Sequence, residues 1–309
     1  MRPILVTGIN RSGTTWVGKT LARAPGVALV YEPFSPRHRR GILRAATPAW
    51  FTYVSDDPPA GLADDVRRML EFRYSYTAEI RTLRSPRDVG RMVRDAARFA
   101  RWHRARPRPL VKDPIAVLAA PWLAREFGMQ VVVTIRHPAA YASSMRRLGW
   151  THDFSGFLEQ PGLVDDLVPG LRGDIEAMAA RPGDILDQAG LLWNVIHTVI
   201  DCYRRDHPDW IFVRHEDLSA APVAGFRDLA GRVGLDFTPQ VAAYVAEATR
   251  SGNPAEAGRG VVHELRRDSA ASARTWHTRL TPDEVASVRA RTEAVASAFY
   301  SDAEWRPAG

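Results

Sequence analysis

Cysteine is almost missing from this chain of 309 residues. Cys202 stands alone, so no internal disulfide forms, and a reducing, cytoplasmic setting is expected. Lysine is nearly as scarce. Of 42 basic residues only Lys19 and Lys112 are lysines, which marks them as positions where a compact ammonium is wanted. No apolar run approaches the roughly 18 residues of a membrane-spanning helix, so none is expected. The first strand is expected from residue 4, and a signal peptide is not expected. Internal repeats and composition breaks are absent, and one domain over 1–309 is expected. The net charge of +7 suits an anionic ligand, a polyanion or a membrane surface.

What is present begins at "PILVTGINRSGTTWVGKTLA", residues 3–22. A short apolar strand runs into a loop bounded by Gly8 and Gly13, and a helix follows from Thr14. A phosphate-binding loop asks for this glycine spacing and then a lysine. Here Thr14 occupies the lysine's place. Such a turn still aims backbone N–H groups and a helix N-terminus at an anion. Arg11, Gly13, Thr14 and Thr15 can add donors to the cradle, while Ser12 either joins it or shapes the turn. Trp16 either packs on the sheet or stacks on a base. Lys19, one turn on, reads as solvated.

Apolar runs alternate with helix-period segments along the rest of the chain. Strands are expected at 27–31, 110–111, 131–135 and 210–213, and helices at 116–127 and 139–148. The β-branched run at 131–135 reads as buried on both faces. The alternation predicts an α/β fold, a central parallel sheet flanked by helices. Residues 35–106 and 149–182 stand outside that pattern and are expected as insertions over the carboxyl edge, where such sheets bind ligands.

A second anion site is legible where the strongest strand ends, in "VVVTIRHPAAYASS": Arg136 closes the strand and Ser144 follows eight residues later. With "RSGTTW", "VRHEDL" and "RRDSAASARTWHTRLTPDE", this resembles the sulfotransferases that use 3′-phosphoadenosine-5′-phosphosulfate (PAPS), in a bacterial-type member. The matches fall in order from residue 4 to about 284. The resemblance implies a P-loop nucleotide-hydrolase-like sulfotransferase fold with helical insertions over the active site, and PAPS as co-substrate without a metal. It implies that Arg11, Thr14 and Thr15 hold the 5′ side with Gly13, and that Trp16 and His215 lie at the adenine. Arg136 and Ser144 would take the 3′-phosphate, with Arg266 or Arg267 reaching it from the C-terminal loop. A donor without a γ-phosphate explains the missing loop lysine.

The chain departs from the family's cytosolic animal members, which have lysine where Arg11 stands and a lysine-x-histidine where this chain has Lys112-Asp113-Pro114. Arg11 is therefore expected to contact the bridging oxygen. Glu32, at the end of the second strand, is the expected base toward the acceptor hydroxyl. Lys112 is expected to stabilise the sulfuryl oxygens or the leaving phosphate, or else to pair with Asp113. His103, His137, His152 and His197 stand in reserve, and Trp193 is read as core or as an edge of the acceptor pocket. The acceptor is a small-molecule, lipid or glycan hydroxyl, and nucleic acid is not an expected partner. Arg87, Arg91, Arg94, Arg98 and Arg101 share helical spacing and read either as a solvated face or as a polyanion site. The competing functions are a P-loop kinase and a non-enzymatic nucleotide- or nucleic-acid-binding protein.

Overall fold

Five apolar runs pair into one parallel sheet. β1 (Ile4–Gly8), β2 (Val27–Tyr31), β3 (Arg108–Lys112), β4 (Gln130–Ile135) and β5 (Ile211–Arg214) lie in the order β2-β3-β1-β4-β5. The computed structural model describes residues 1–309 except 46, 48, 56, 257–264 and 307–309. β1 is buried throughout and sits between β3 and β4, with Val6 opposite Lys112 on one side and Val132 on the other. The chain order reverses at β1, so a crevice opens beyond its carboxyl end. Alternation along β1 serves two cores: Leu5 packs with Val111, Val131 and Val133, while Ile4 and Val6 pack with Leu110 and Val132 on the other face.

Two expected elements differ in detail. β3 is longer than its apolar dipeptide because Arg108 and Pro109 extend it. Arg108 is held there by donating to the carbonyls of Arg2 (2.6 Å) and Val233 (2.7 Å), a tertiary reason absent from local pattern. The expected helix at 116–127 is a 3-10 turn, Pro114–Ala119, followed by a helix, Ala120–Phe127. Asp113 caps the turn by accepting from the Ile115 N–H at 2.9 Å.

Both insertions reach the carboxyl edge. The first carries the helices Leu62–Leu70, Tyr76–Ile80 and Pro86–Ala105; the second carries Ser155–Leu158 and Arg172–Ala180. They are tied together: the Tyr53 N–H donates to Gln160 Oε1 (2.8 Å) and the Tyr53 hydroxyl to Asp166 (3.1 Å). Behind the sheet, the helices Pro138–Leu148, Ile185–Asp206 and Pro282–Ala296 pack together. No helix among the described residues is long and apolar enough to cross a membrane.

Candidate active site

A cavity of about 640 Å³ opens beyond the carboxyl ends of β1 to β4. Its first wall is the loop after β1. Gly8 has φ 144°, and a Cβ there would lie 2.4 Å from the Thr134 carbonyl oxygen, so only glycine lets β1 run this close to β4. Gly13 has φ 100°, and its Cβ would meet the His215 ring at 2.8 Å. The helix Thr14–Leu21 begins there, and no side chain among the described residues caps it. Its first-turn N–H groups thus face the cavity without a side-chain acceptor. Ser12 does not line the cavity. Its hydroxyl donates to the Ile9 carbonyl (2.6 Å) and shares a hydrogen bond with Thr134 (2.6 Å). Of the two readings of Ser12, its side chain follows the turn reading: it pins the loop to β4.

Three arginines converge at this end. Arg11, in the left-handed region at φ 67°, lines the cavity with Arg136 and Arg267. A non-glycine residue held at positive φ is strain that functional loops commonly retain. The Arg136 guanidinium donates to the Arg11 carbonyl at 2.7 Å, and Arg11 Nε donates to Ser144 Oγ at 3.1 Å. Burial, then the charges of Arg136, Arg267 and Arg147, bring Arg11 down to about 9. Burial likewise brings Arg136 down to about 10, against the raising influence of Glu216. Glu216 accepts from the His137 N–H (3.0 Å) and the Tyr300 hydroxyl (3.0 Å), and is the acidic counterpart of Arg136. The Arg136 Nε is buried without a hydrogen-bond partner among the described residues.

Ser144 is 3% exposed, does not line the cavity and is engaged with Arg11. As it stands, the Ser144 hydroxyl buttresses an arginine instead of facing a ligand. The choice between Arg266 and Arg267 is geometric: Arg267 lines the cavity, whereas Arg266 turns outward to Glu247 at 2.8 Å. His215 and Trp16 complete this end, their rings 5.6 Å apart. Trp16 also packs edge-on against Phe226 at 5.0 Å, so one side of the indole is core and another faces the cavity. Burial, then Arg136, Arg267 and Arg11, push His215 well below its usual pKa and keep it neutral.

The second wall comes from the ends of β2 and β3. Lys112, 1% exposed, pairs with Glu32 and lies 4.4 Å from the centroid of the Tyr31 ring. Glu32 has φ 48°, another strained position, and its N–H donates to the Lys112 carbonyl at 2.8 Å. The alternative pairing of Lys112 with Asp113 does not occur. The Asp113 carboxylate instead accepts from the Phe34 N–H (2.6 Å) and the Ile115 N–H, and its own N–H donates to the Val6 carbonyl (2.9 Å). It therefore ties the ends of β1, β2 and β3 together beneath Glu32, and burial raises its pKa to about 7.

Residues that no motif announced finish the cavity: Arg37, Trp50 and Phe51 from the first insertion, and Trp150, His152 and Asp153 from the second. Of the reserve histidines only His152 lines the cavity. His137 stacks on Trp276 (5.0 Å) and His197 on Trp193 (3.8 Å); burial brings both to about 3. His103 is remote and exposed, with Nδ1 2.7 Å from the Glu71 carbonyl. Trp193 is core, not pocket edge: it is fully buried and its Nε1 donates to the Arg136 carbonyl at 2.9 Å.

Comparison with known proteins identifies the family and the fold. The sequence profile of the sulfotransferase family matches residues 3–239. The chain belongs to the sulfotransferase family. Among solved structures it is similar to the sulfotransferase domain of the olefin synthase from Synechococcus PCC 7002, at 16% identity and a TM-score of 0.50, covering 97% of this chain and 95% of that one. It is similar also to the sulfotransferase domain of the curacin biosynthetic pathway, at 14% identity and a TM-score of 0.50, covering 96% and 97%. Comparison with curated proteins gave no match. Membership makes the chain a transferase of sulfuryl groups, on a fold shared with these structures.

Proposed function

We propose that this sulfotransferase draws its sulfuryl group from PAPS and delivers it to an acceptor hydroxyl, within one domain. The observation that carries the donor assignment is the buried Arg136 Nε, which lacks a hydrogen-bond partner among the described residues, beside a second cationic side chain in a shared cavity. Burying guanidinium groups together is costly unless an anion compensates them. Two anion cradles opening into one cavity suit one molecule with two separated phosphate groups. The first-turn amides after Gly13, with Thr14 and Thr15, would hold the 5′ side. Arg136 and Arg267 would hold the 3′-phosphate, and Trp16 and neutral His215 would lie against the adenine. Arg11, which stands in the first loop and is hydrogen-bonded to Arg136 and Ser144 of the second, would join the two cradles.

When bound, the donor supplies a sulfuryl group and departs as adenosine 3′,5′-bisphosphate. Glu32 takes the acceptor's proton as the acceptor oxygen bonds to sulfur and the bond from sulfur to the bridging oxygen breaks. Once Glu32 is neutral, Lys112 loses its counter-charge, and its ammonium is then available to the negative charge growing on the leaving side. The acceptor half of the cavity carries Arg37 and Asp153, opposite charges that cancel, among apolar side chains, and so favours an uncharged alcohol over a polyanionic glycan. Trp50 and Trp150 stand exposed at its mouth, Phe51 and Met145 lie within, and the arginines of the helix Pro86–Ala105 do not line it.

Calorimetry without metal tests the donor. Adenosine 3′,5′-bisphosphate is expected to bind at least tenfold more tightly than ADP or ATP. Equal affinity, or a requirement for magnesium with ATP, would return the kinase reading to favour.

A further inference from the structure

The positive charge of this chain is concentrated in one place. Residues 81–106 hold nine arginines against two aspartates, a net +7 equal to that of the whole chain; the remaining 33 basic and 33 acidic residues cancel. Most of this segment is the helix Pro86–Ala105, which starts at an N-cap, Ser85, whose hydroxyl accepts from the Asp88 N–H. The helix buries Asp95, Ala96 and Phe99. Of its two acids one is buried: Asp95 lies beneath, paired with Arg98 and Arg39, while Asp88 stays at the helix start, bonded to Ser85 and 3.6 Å from Arg91. Arg87, Arg94, Arg101 and Arg104 are exposed and make no ion pair among the described residues.

The same exposed face is partly apolar. At 100° per residue, Val89, Val93, Ala97 and Ala100 form a strip along one side of it, and the arginines run beside them. All four are exposed, Val89 at 43% and Val93 at 60%. The short helix Tyr76–Ile80 packs against this one and adds Tyr76, 53% exposed, and Ile80, 56% exposed. Half of the large apolar side chains exposed among the described residues therefore belong to these two short stretches, and none of these four lines the cavity.

We infer that the helix Pro86–Ala105 lies on an anionic membrane surface, its arginines against lipid headgroups and its valine strip in the acyl boundary. Charge complementarity selects the occupant. A polyanion such as nucleic acid or heparin would engage the arginines and leave the adjoining valines in water, whereas a charged lipid interface accommodates both. The inference concerns a surface separate from the cavity and stands whether or not the donor is PAPS.

Flotation of the full chain with vesicles tests it. Wild type is expected to bind vesicles containing about 30% phosphatidylserine at least tenfold better than pure phosphatidylcholine, with loss on raising salt from about 0.1 M to 0.5 M. Val89→Asp with Val93→Asp, and separately Arg91→Glu with Arg94→Glu and Arg101→Glu, are each expected to cut binding at least tenfold while circular dichroism stays unchanged. If either set unfolds, Val89→Ser with Val93→Ser, or Arg91→Gln with Arg94→Gln, carries the test. No binding to either vesicle overturns the inference. So does binding that survives the valine changes, which would make the face a polyanion site, as would heparin or DNA binding in place of vesicles. A concentration-dependent dimer abolished by the valine changes overturns it in favour of a second copy of the chain.

Discussion

The two ends of the cavity handle charge in opposite ways. At the β1–β4 end, Arg11, Arg136 and Arg267 crowd together, and their mutual repulsion adds to burial in lowering the pKa of Arg11. At the β2–β3 end, Lys112 and Glu32 already neutralise one another. In the proposed reading the first arrangement, whose acidic neighbour is Glu216, receives an anion, and the second changes when a proton moves. That contrast is what a transferase of an anionic group requires: one end holds charge still, and the other redistributes it during the reaction.

Changes at each end should therefore separate turnover from binding. The largest effect is expected for Glu32→Gln, which keeps the shape, loses the base and should lower turnover about 10²- to 10⁴-fold, with the affinity for adenosine 3′,5′-bisphosphate unchanged by calorimetry. An unchanged rate would move the base elsewhere. Next, Arg136→Ala should weaken that bisphosphate about 100-fold, as removal of one partner from a buried charged contact does, and should weaken its 3′-dephospho analogue far less. Equal losses for both would remove Arg136 from the 3′ side. A smaller contrast separates neighbours: Arg267→Ala should cost about tenfold in bisphosphate affinity, a charge-assisted hydrogen bond, while exposed Arg266→Ala should cost less than about twofold.

Acid sharpens the comparison from a different direction. His137, His197 and His152 are held neutral by burial, the first two at about 3 and the last at about 4. Each binds fewer protons folded than unfolded between those values and the usual 6.5, so stability is full above pH 6.5 and falls as pH drops toward 4. Thermal melts at pH 7.5 and 5 should show the loss. His152→Gln should reduce it only in part, because burial holds other histidines low as well, His215 and His38 among them.

The same two ends differ in how far the sequence displays them. The β1–β4 end is built from segments contiguous in the chain: a strand, a glycine-bounded turn and a helix start at residues 4–21, and a strand end at Arg136. Their spacing is dictated by local geometry, so the sheet and most of the arginine cluster are legible. Side-chain direction inside those segments is less so. Ser12 and Ser144 face Thr134 and Arg11 because of tertiary neighbours more than 100 residues away in sequence. In the irregular stretch carrying Arg266 and Arg267 there is no periodicity to say which one turns inward. The wall built by the two insertions is hardly legible. Trp50, Phe51 and Trp150 reach it only because two insertions pack together through Tyr53 with Gln160 and Asp166, a pairing no local pattern announces. Asp113 is adjacent to Lys112 in sequence, yet its carboxylate is committed to backbone N–H groups, a role that depends on Phe34 lying at the same strand ends.

The most direct test of the central claim is a crystal structure with adenosine 3′,5′-bisphosphate bound. One nucleotide should span the cavity, its 5′-phosphate on the amides after Gly13 and its 3′-phosphate on Arg136 and Arg267, with Glu32 and Lys112 left facing the acceptor side. A nucleotide bound away from these arginines, or two separate anions in place of one bridging molecule, would contradict it.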